Sequence, residues 1–146
     1  MKGLIQRVNH ACVRVDGEAV GSIQRGVLLL LGIEKEDDQA KADKLLHKTL
    51  NYRIFPDEQG RMNLSLKDTG YELLIVSQFT LVADTRKGMR PGFSKGAHPE
   101  VGEKLYDYFV ERACSDAPGL IQTGQFGADM QIALENNGPV TFMLES

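Results

Sequence analysis

The chain has 146 residues, of which 42% are hydrophobic and 25% charged, and its net charge at pH 7 is −3. That length suits one domain with a real core. The longest apolar run, Val27–Leu31, is far too short to span a bilayer. The stretch Met1–Arg7 has no apolar segment of signal-peptide length. A negative balance excludes a surface coated in positive charge but leaves room for a local basic patch.

Gly3–Val15 reads as a long strand with partial alternation, and Asp16-Gly17 is a strong hairpin signal. Glu18–Ile23 returns, Gln24-Arg25-Gly26 turns again, and Val27–Ile33 reads as a buried strand. Asp37-Asp38 then offers a helix cap. Ala42, Leu45, Leu46, Thr49, Leu50 and Ile54 follow at helical spacing, in a helix that should end before Pro56. Leu73–Phe79 is mostly apolar, unbroken from Leu73 to Val76, which predicts a central strand covered on both faces. Pro99 suits the first turn of a second helix, where His98 is placed to cap. Val101, Leu105, Tyr108, Phe109 and Arg112 share one face of that helix, with Arg112 snorkelling. After the Pro118-Gly119 break, Leu120–Phe126, Met130–Leu134 and Val140–Leu144 read as the last strands.

No repeat, linker or low-complexity tract divides the chain, so residues 1–146 are expected to form a single domain. The expected fold is α/β, bordering on α+β. It is β-rich and three-layered, with two sheets and two main helices. The helices cannot cover that much sheet, so one face must meet a second sheet or another subunit.

The inventory of chemistry is short. His10, His47 and His98 lie in no ligand-spaced pattern, so no metal and no cofactor are expected. Cys12 and Cys114 are lone cysteines without CxxC spacing; they fit a reducing cytoplasm and a role as buried filler. Ser77, His98 and Asp84 could supply a hydrolase triad, but Ser77 lacks the GxSxG elbow and no spacing supports it. There is no GxGxxG or Walker A pattern. The stretch Asp84–Lys95 carries Arg86, Lys87, Arg90 and Lys95 against one acid; on charge alone it reads as a solvated loop.

Two segments stand out. Ser77-Gln78-Phe79-Thr80-Leu81 lies at the carboxyl end of a buried strand, where open α/β sheets place ligands. Its backbone N–H groups could donate to an oxygen gaining charge, and Thr80 could act as nucleophile or orient water, although no base sits beside it. Near the chain end, Asn136-Asn137-Gly138-Pro139-Val140-Thr141 sits between two apolar runs. Pro139 has no N–H and its peptide bond can be cis at modest cost, so the pair can fix two carbonyls without using side chains. Taken alone, this segment reads better as an ordinary hairpin turn.

Together the two segments resemble the D-aminoacyl-tRNA deacylases (formerly D-tyrosyl-tRNA deacylases) of bacterial and eukaryotic type. Leu4–Val8, Tyr52–Phe55, Arg90–Gly96 and Tyr106–Val110 are also similar to that family, so the resemblance covers essentially the whole chain. It implies a cytoplasmic homodimer that hydrolyses the ester of D-aminoacyl-tRNA, with the acceptor end of tRNA as partner and no membrane or DNA. It implies that Gly138-Pro139 is cis, enters the partner's site and, with Asn136, rejects L-aminoacyl groups while glycyl-tRNA is accepted. It also implies that backbone N–H groups of Phe79 and Thr80 stabilise the oxyanion, with Ser77 and Gln78 lining the site. Arg86, Lys87, Arg90, Lys95, Phe126 and Met130 would then hold the tRNA end. Gly92 departs from the small hydroxyl residue expected there, which removes one phosphate hydrogen bond. Two other readings remain: a non-catalytic dimer that binds RNA ends, and a triad esterase acting on small esters.

Overall fold

The computed structural model describes residues 1–146. The chain opens with a 14-residue strand, β1 (Lys2–Val15), and closes with a 15-residue strand, β8 (Gln131–Glu145), and the two pair antiparallel along nearly their full length. With β8 filling one edge of β1, the other edge is shared. Lys2–Val8 pairs with β3 (Gly26–Gly32) and Ala11–Val15 pairs with β2 (Glu18–Ile23). Parallel pairing continues from β3 to β6 (Glu72–Ser77) and from β6 to β7 (Ile121–Thr123). The links between these parallel strands carry α1 (Gln39–Asn51) and α3 (Pro99–Asp116), as parallel pairs require. A short second sheet, β4 (Phe55–Pro56) with β5 (Met62–Leu64), and one turn of helix, α2 (Leu66–Thr69), lie between α1 and β6.

Alternation along the central strands builds two cores. Val27, Leu29, Leu31, Leu73 and Ile75 face a larger cluster shared with Leu45, Leu46, Leu50, Leu105 and Phe109 of the helices. Leu28, Leu74 and Val76 face a smaller one with Val8, Ala11, Val13 and Ile23, where the sheet folds back over itself. The fold-back is tight. A Cβ on Gly21 of β2 would lie 2.3 Å from the Thr123 carbonyl oxygen of β7, so only glycine fits. This is the expected α+β domain of three layers, two sheets and two main helices, and the central strands are covered on both faces.

Several local expectations are corrected. Asp38 does cap α1, accepting from the Lys41 N–H, while the Asp37 carboxylate is enclosed and takes the Met1 amino group at 2.6 Å and the Glu34 N–H at 2.7 Å. The helix ends at Asn51 because Tyr52 turns extended, so Ile54 reaches the core from outside it. On α3 the buried face is Gly102, Leu105, Tyr106, Phe109 and Ala113, not the one through Val101, which is 52% exposed. Two contacts go with that rotation: the Tyr106 hydroxyl donates to the Ile75 carbonyl at 3.0 Å, and the Phe126 ring packs over Gly102. Tyr108 and Arg112 instead both donate to Asp43, tying α3 to α1. His98 sits at the cap position of α3 but makes no capping hydrogen bond. Cys12 is half-buried and Cys114 is exposed, so Cys114 fills no core. No helix is long and apolar enough to cross a membrane.

The largest correction concerns the C-terminus. Met130–Leu134 and Val140–Leu144 are not separate strands joined by a hairpin. Apart from Met130, which precedes it, they belong to the single strand β8, and Asn136–Pro139 lies inside it as a bulge.

Candidate functional site

A cavity of about 410 Å³ opens where β3 and β6 end. Ser77, Gln78 and Phe79 line it from the end of β6, Ala97 and Gly102 from the start of α3, and Phe126 and Met130 from the segment before β8. Of the residues singled out in the sequence, Ser77, Gln78, Phe79, Phe126 and Met130 therefore meet in one place, while Thr80 stands just outside the lining. The sequence reading did not place Leu31, Ile33, Val76, Ala97, Pro99, Gly102 or Ile132 at the site, and these complete the wall together with Gly127, Ala128 and Asp129 of the Phe126–Met130 segment. A glycine within the first turn of a helix was the one available signal for Gly102, since glycine lowers helix stability relative to alanine. Here the Phe126 ring lies 3.5 Å from where its Cβ would stand. Phe126 also packs on Tyr106, with ring centroids 5.6 Å apart.

The chemistry of residues 77–80 follows from how the strand stops. The Gln78 N–H makes the last ladder bond, to the Leu31 carbonyl at 2.8 Å, and the chain then tightens into a 3₁₀ turn, Phe79–Val82. The strand ends at Ser77, so Phe79 is not part of it. The first N–H groups of a helical turn have no internal partner. Accordingly, the Phe79 and Thr80 N–H groups donate to nothing within the chain. Two adjacent unbonded donors at a cavity mouth are what an oxygen gaining negative charge needs.

The hydroxyl of Thr80 is not activated. Its Oγ1 accepts from Gln78 Nε2 at 2.6 Å, and no histidine or carboxylate bonds to it. The triad reading also fails on geometry. Asp84 is held by Arg86, whose Nε lies 2.9 Å from Oδ1, and no hydrogen bond joins Ser77, His98 and Asp84. The hydrogen bonds from Arg86 hold the Asp84 carboxyl well below the usual carboxylate range. No group of three or more histidine, cysteine, aspartate or glutamate side chains comes together.

The basic loop reaches the same mouth. Phe93 packs on Phe79 with centroids 5.2 Å apart. Asp84 and Gly92 exchange backbone hydrogen bonds of 2.7 and 2.9 Å, and the Lys35 N–H donates to the Lys95 carbonyl at 3.1 Å. Arg86 is neutralised by Asp84, whereas Lys87, Arg90 and Lys95 form no ion pair and are exposed. The loop is thus solvated, as its charge suggested, and Phe93 ties it to the cavity edge at Phe79. A Cβ on Gly92 would have nothing nearer than the Asp84 carbonyl oxygen at 3.7 Å, so the missing hydroxyl is not excluded by space.

The C-terminal bulge stands apart. The Gly138–Pro139 peptide is cis and Gly138 has φ of 144°. In the β1–β8 ladder, Val8 pairs with Asn136 and Gln6 with Thr141, so Asn137–Val140 oppose Arg7 alone. Arg7 answers with its side chain: Nε donates to the Asn137 carbonyl at 2.9 Å and Nη1 to the Ile54 carbonyl at 2.6 Å. Burial, then the charge of Arg25, lower the Arg7 pKa somewhat from its usual value. Gly138 and Pro139 are exposed, and no residue beyond Ile132 lines the cavity. Arg7 is level with Val27 at the start of β3, whereas the cavity meets Leu31, four residues and ~13 Å along the strand. Within one chain, the bulge and residues 77–80 do not meet.

Comparison with known proteins agrees with this layout. The model of a family described as D-Tyr-tRNA(Tyr) deacylase matches residues 4–145. A protein named D-aminoacyl-tRNA deacylase from Stutzerimonas stutzeri (strain A1501) is 64% identical over 146 residues, covering all of both chains. One of the same name from Hahella chejuensis (strain KCTC 2396) is 60% identical over 99% of this chain and 98% of its own. Among solved structures, one titled c-Myc DNA Unwinding Element Binding Protein superposes with a TM-score of 0.96 at 44% identity, over 100% of this chain and 99% of its own. Another, titled as a probable eukaryotic D-amino acid tRNA deacylase, has a TM-score of 0.79 at 22% identity, over 99% and 98%, and speaks for the fold alone.

The Phe79–Phe93 contact generates a prediction. An aromatic pair contributes ~0.5–1.5 kcal/mol beyond its area. Phe93→Ala should therefore raise the open fraction of the loop, and the rate of tryptic cleavage after Lys87, by about two- to tenfold. Gel-resolved limited proteolysis reads this, and thermal unfolding of the whole protein should barely move.

Proposed function

The chain belongs to the D-Tyr-tRNA(Tyr) deacylase family, and from that premise we propose that it hydrolyses the ester of D-aminoacyl-tRNA, releasing free D-amino acid and tRNA. The observation that carries the mechanism is the pair of unbonded N–H groups at Phe79 and Thr80 beside the cavity. Water attacks the ester carbonyl carbon, and the carbonyl oxygen takes negative charge facing those two donors. The intermediate collapses by breaking the bond to the ribose oxygen, which picks up a proton. One such donor is worth roughly 10²–10³ in rate. The ribose hydroxyl next to the ester helps activate the water, because Thr80 has a donor beside it instead of a base.

Residues 1–146 act as one domain and pair into a homodimer in the cytoplasm. A second copy supplies the Gly138-Pro139 segment to the cavity mouth, because the chain's own segment cannot reach it. Its carbonyls face the substrate's α-ammonium group. A D side chain points away from that wall, an L side chain runs into it, and glycine has none to collide. Phe126 and Met130 hold the terminal adenosine, while Lys87, Arg90 and Lys95, with Arg86 more weakly, meet the acceptor-end phosphates. We assign no DNA partner, since the unpaired cations by the site are confined to one loop. A binding-only role would leave the free amide pair without use.

The decisive assay is paired deacylation of tRNA charged with the D or the L form of one amino acid, with chelator present. The D form should be lost and the L form survive; equal rates would end the claim of chiral selection. Thr80→Ala keeps the backbone donor, so its kcat should stay within about tenfold of wild type. A loss beyond about 10³-fold in a folded protein would restore the nucleophile model.

Subunit exchange tests the borrowed segment. Gly138→Ala damages the segment, since its Cβ would lie 2.6 Å from Val140 Cγ2 at a φ that disfavours side chains. Gly102→Leu fills the cavity. Each variant alone should be inactive, while a 1:1 mixture should recover about a quarter of wild-type activity, because half the dimers would hold one intact site. No recovery on mixing would mean that each chain uses its own segment.

A further inference from the structure

We propose that Asn136 and Thr141 are positioning residues that fix the Gly138-Pro139 carbonyls and thereby set the enantiomer ratio, and that Asn136 does not itself touch the substrate. This rests on the function proposed above and changes the part Asn136 plays in it.

The argument starts from what the ladder leaves out. Backbone polar groups that lose their sheet partner must find another. Between Asn136 and Thr141 the β1 strand offers none, because those residues oppose Arg7 alone. Asn136 fills the gap with its side chain. Its Oδ1 accepts from the Val140 N–H at 2.7 Å. Its Nδ2 donates to the Val140 carbonyl at 3.3 Å and to Thr141 Oγ1 at 2.9 Å. An asparagine amide has two donor hydrogens, and both are engaged. The side chain thus bridges the two ends of the bulge, acting as the absent strand would.

Thr141 extends the brace. Its Oγ1 also receives Gln6 Nε2 from β1 at 3.4 Å. On the other flank, Asn137 Nδ2 donates to Asn9 Oδ1 at 3.0 Å, and Asn9 Nδ2 bonds Glu135 Oε1. Arg7 holds only the Asn137 carbonyl. The Val140 side is therefore held by Asn136, whose two donors are both spent within the bulge and leave nothing for a phosphate, and whose Oδ1 already accepts from the Val140 N–H. A carbonyl wall sorts enantiomers only if it does not yield. Loosening its Val140 end should let the segment retreat from an L side chain and grip the ammonium less well.

The test uses Asn136→Ala, Thr141→Val and Thr141→Ser in the full-length dimer, with D- and L-aminoacyl-tRNA as probes. Hydrogen exchange at the Val140 amide is read by NMR, with Leu29 and Ile75 as core controls. In Asn136→Ala the Val140 amide should exchange at least about tenfold faster while the controls hold, KM for the D substrate should rise about tenfold with kcat less affected, and the D-to-L rate ratio should fall at least about tenfold. Thr141→Val should shift KM and the ratio the same way by a few-fold, and Thr141→Ser should restore both. Wild-type KM and ratio in a folded Asn136→Ala would overturn the proposal. So would a fall in kcat alone with all amides speeding up together, which is what a merely structural role predicts. If Asn136→Ala does not fold, Thr141→Val with wild-type KM and ratio is equally fatal. A wild-type protein that fails to prefer the D substrate would sink the proposed function, and the Val140 exchange would still decide whether Asn136 braces the segment.

Discussion

The molecule depends on one interrupted ladder. β1 and β8 pair from Lys2 with Glu145 to Arg14 with Gln131, with the widest break around Arg7 and a one-residue irregularity at Asn9. Pro139 has no N–H to contribute there, so the bulge must bow out of the sheet and take its hydrogen bonds from side chains. Ladder resumes on both sides, which clamps the bulge at each end. The result is a short piece of main chain that is exposed yet held, on the edge strand that a second copy can approach.

A second interruption lies where β6 gives out. Gln78 makes the final ladder bond and the next two N–H groups are left over. The two breaks are complementary in chemistry. One presents carbonyl acceptors, the other presents amide donors. An aminoacyl ester carries a fixed positive charge on its α-amino group and develops a negative one on its carbonyl oxygen. Under the proposed function, main-chain groups meet both. That explains why the side-chain inventory looks so poor: three scattered histidines, a threonine with a donor beside it, and an aspartate occupied by arginine.

Much of this was legible in the sequence. The first three strands, the Asp38 cap and the doubly buried central strand follow from local pattern, because their surroundings are decided by period and turn residues. Ser77–Phe79, Phe126 and Met130 could be picked out and do gather in the cavity. What could not be read was whatever a distant partner decides. Asn136–Pro139 has the composition of a hairpin turn, and only its pairing with β1, some 130 residues away, makes it a bulge. The buried face of α3 is the one that meets Ile75 and Phe126, and helical spacing alone put Val101 on the wrong side. Nothing local in the sequence assigns a task to Arg7 or Gly102. Their importance appears only when β8 and Phe126 arrive beside them.

Under the proposed function, sorting mirror images by excluded volume has a consequence for breadth. A pocket that recognised a side chain by contact would gain about 1–3 kcal/mol for each well-fitted group and would narrow its range accordingly. A wall that forbids one direction says nothing about what occupies the other. Every D-amino acid passes for the same reason, whatever its side chain, because the criterion is an empty region and not a filled one. The same reasoning requires glycine to pass, since it too leaves that region empty. Enantiomer selection, tolerance among side chains and inability to reject glycine are thus one geometric property of a carbonyl-bearing edge. Under the proposed function none can be changed without moving Gly138 and Pro139 or giving the cavity a contact it now lacks.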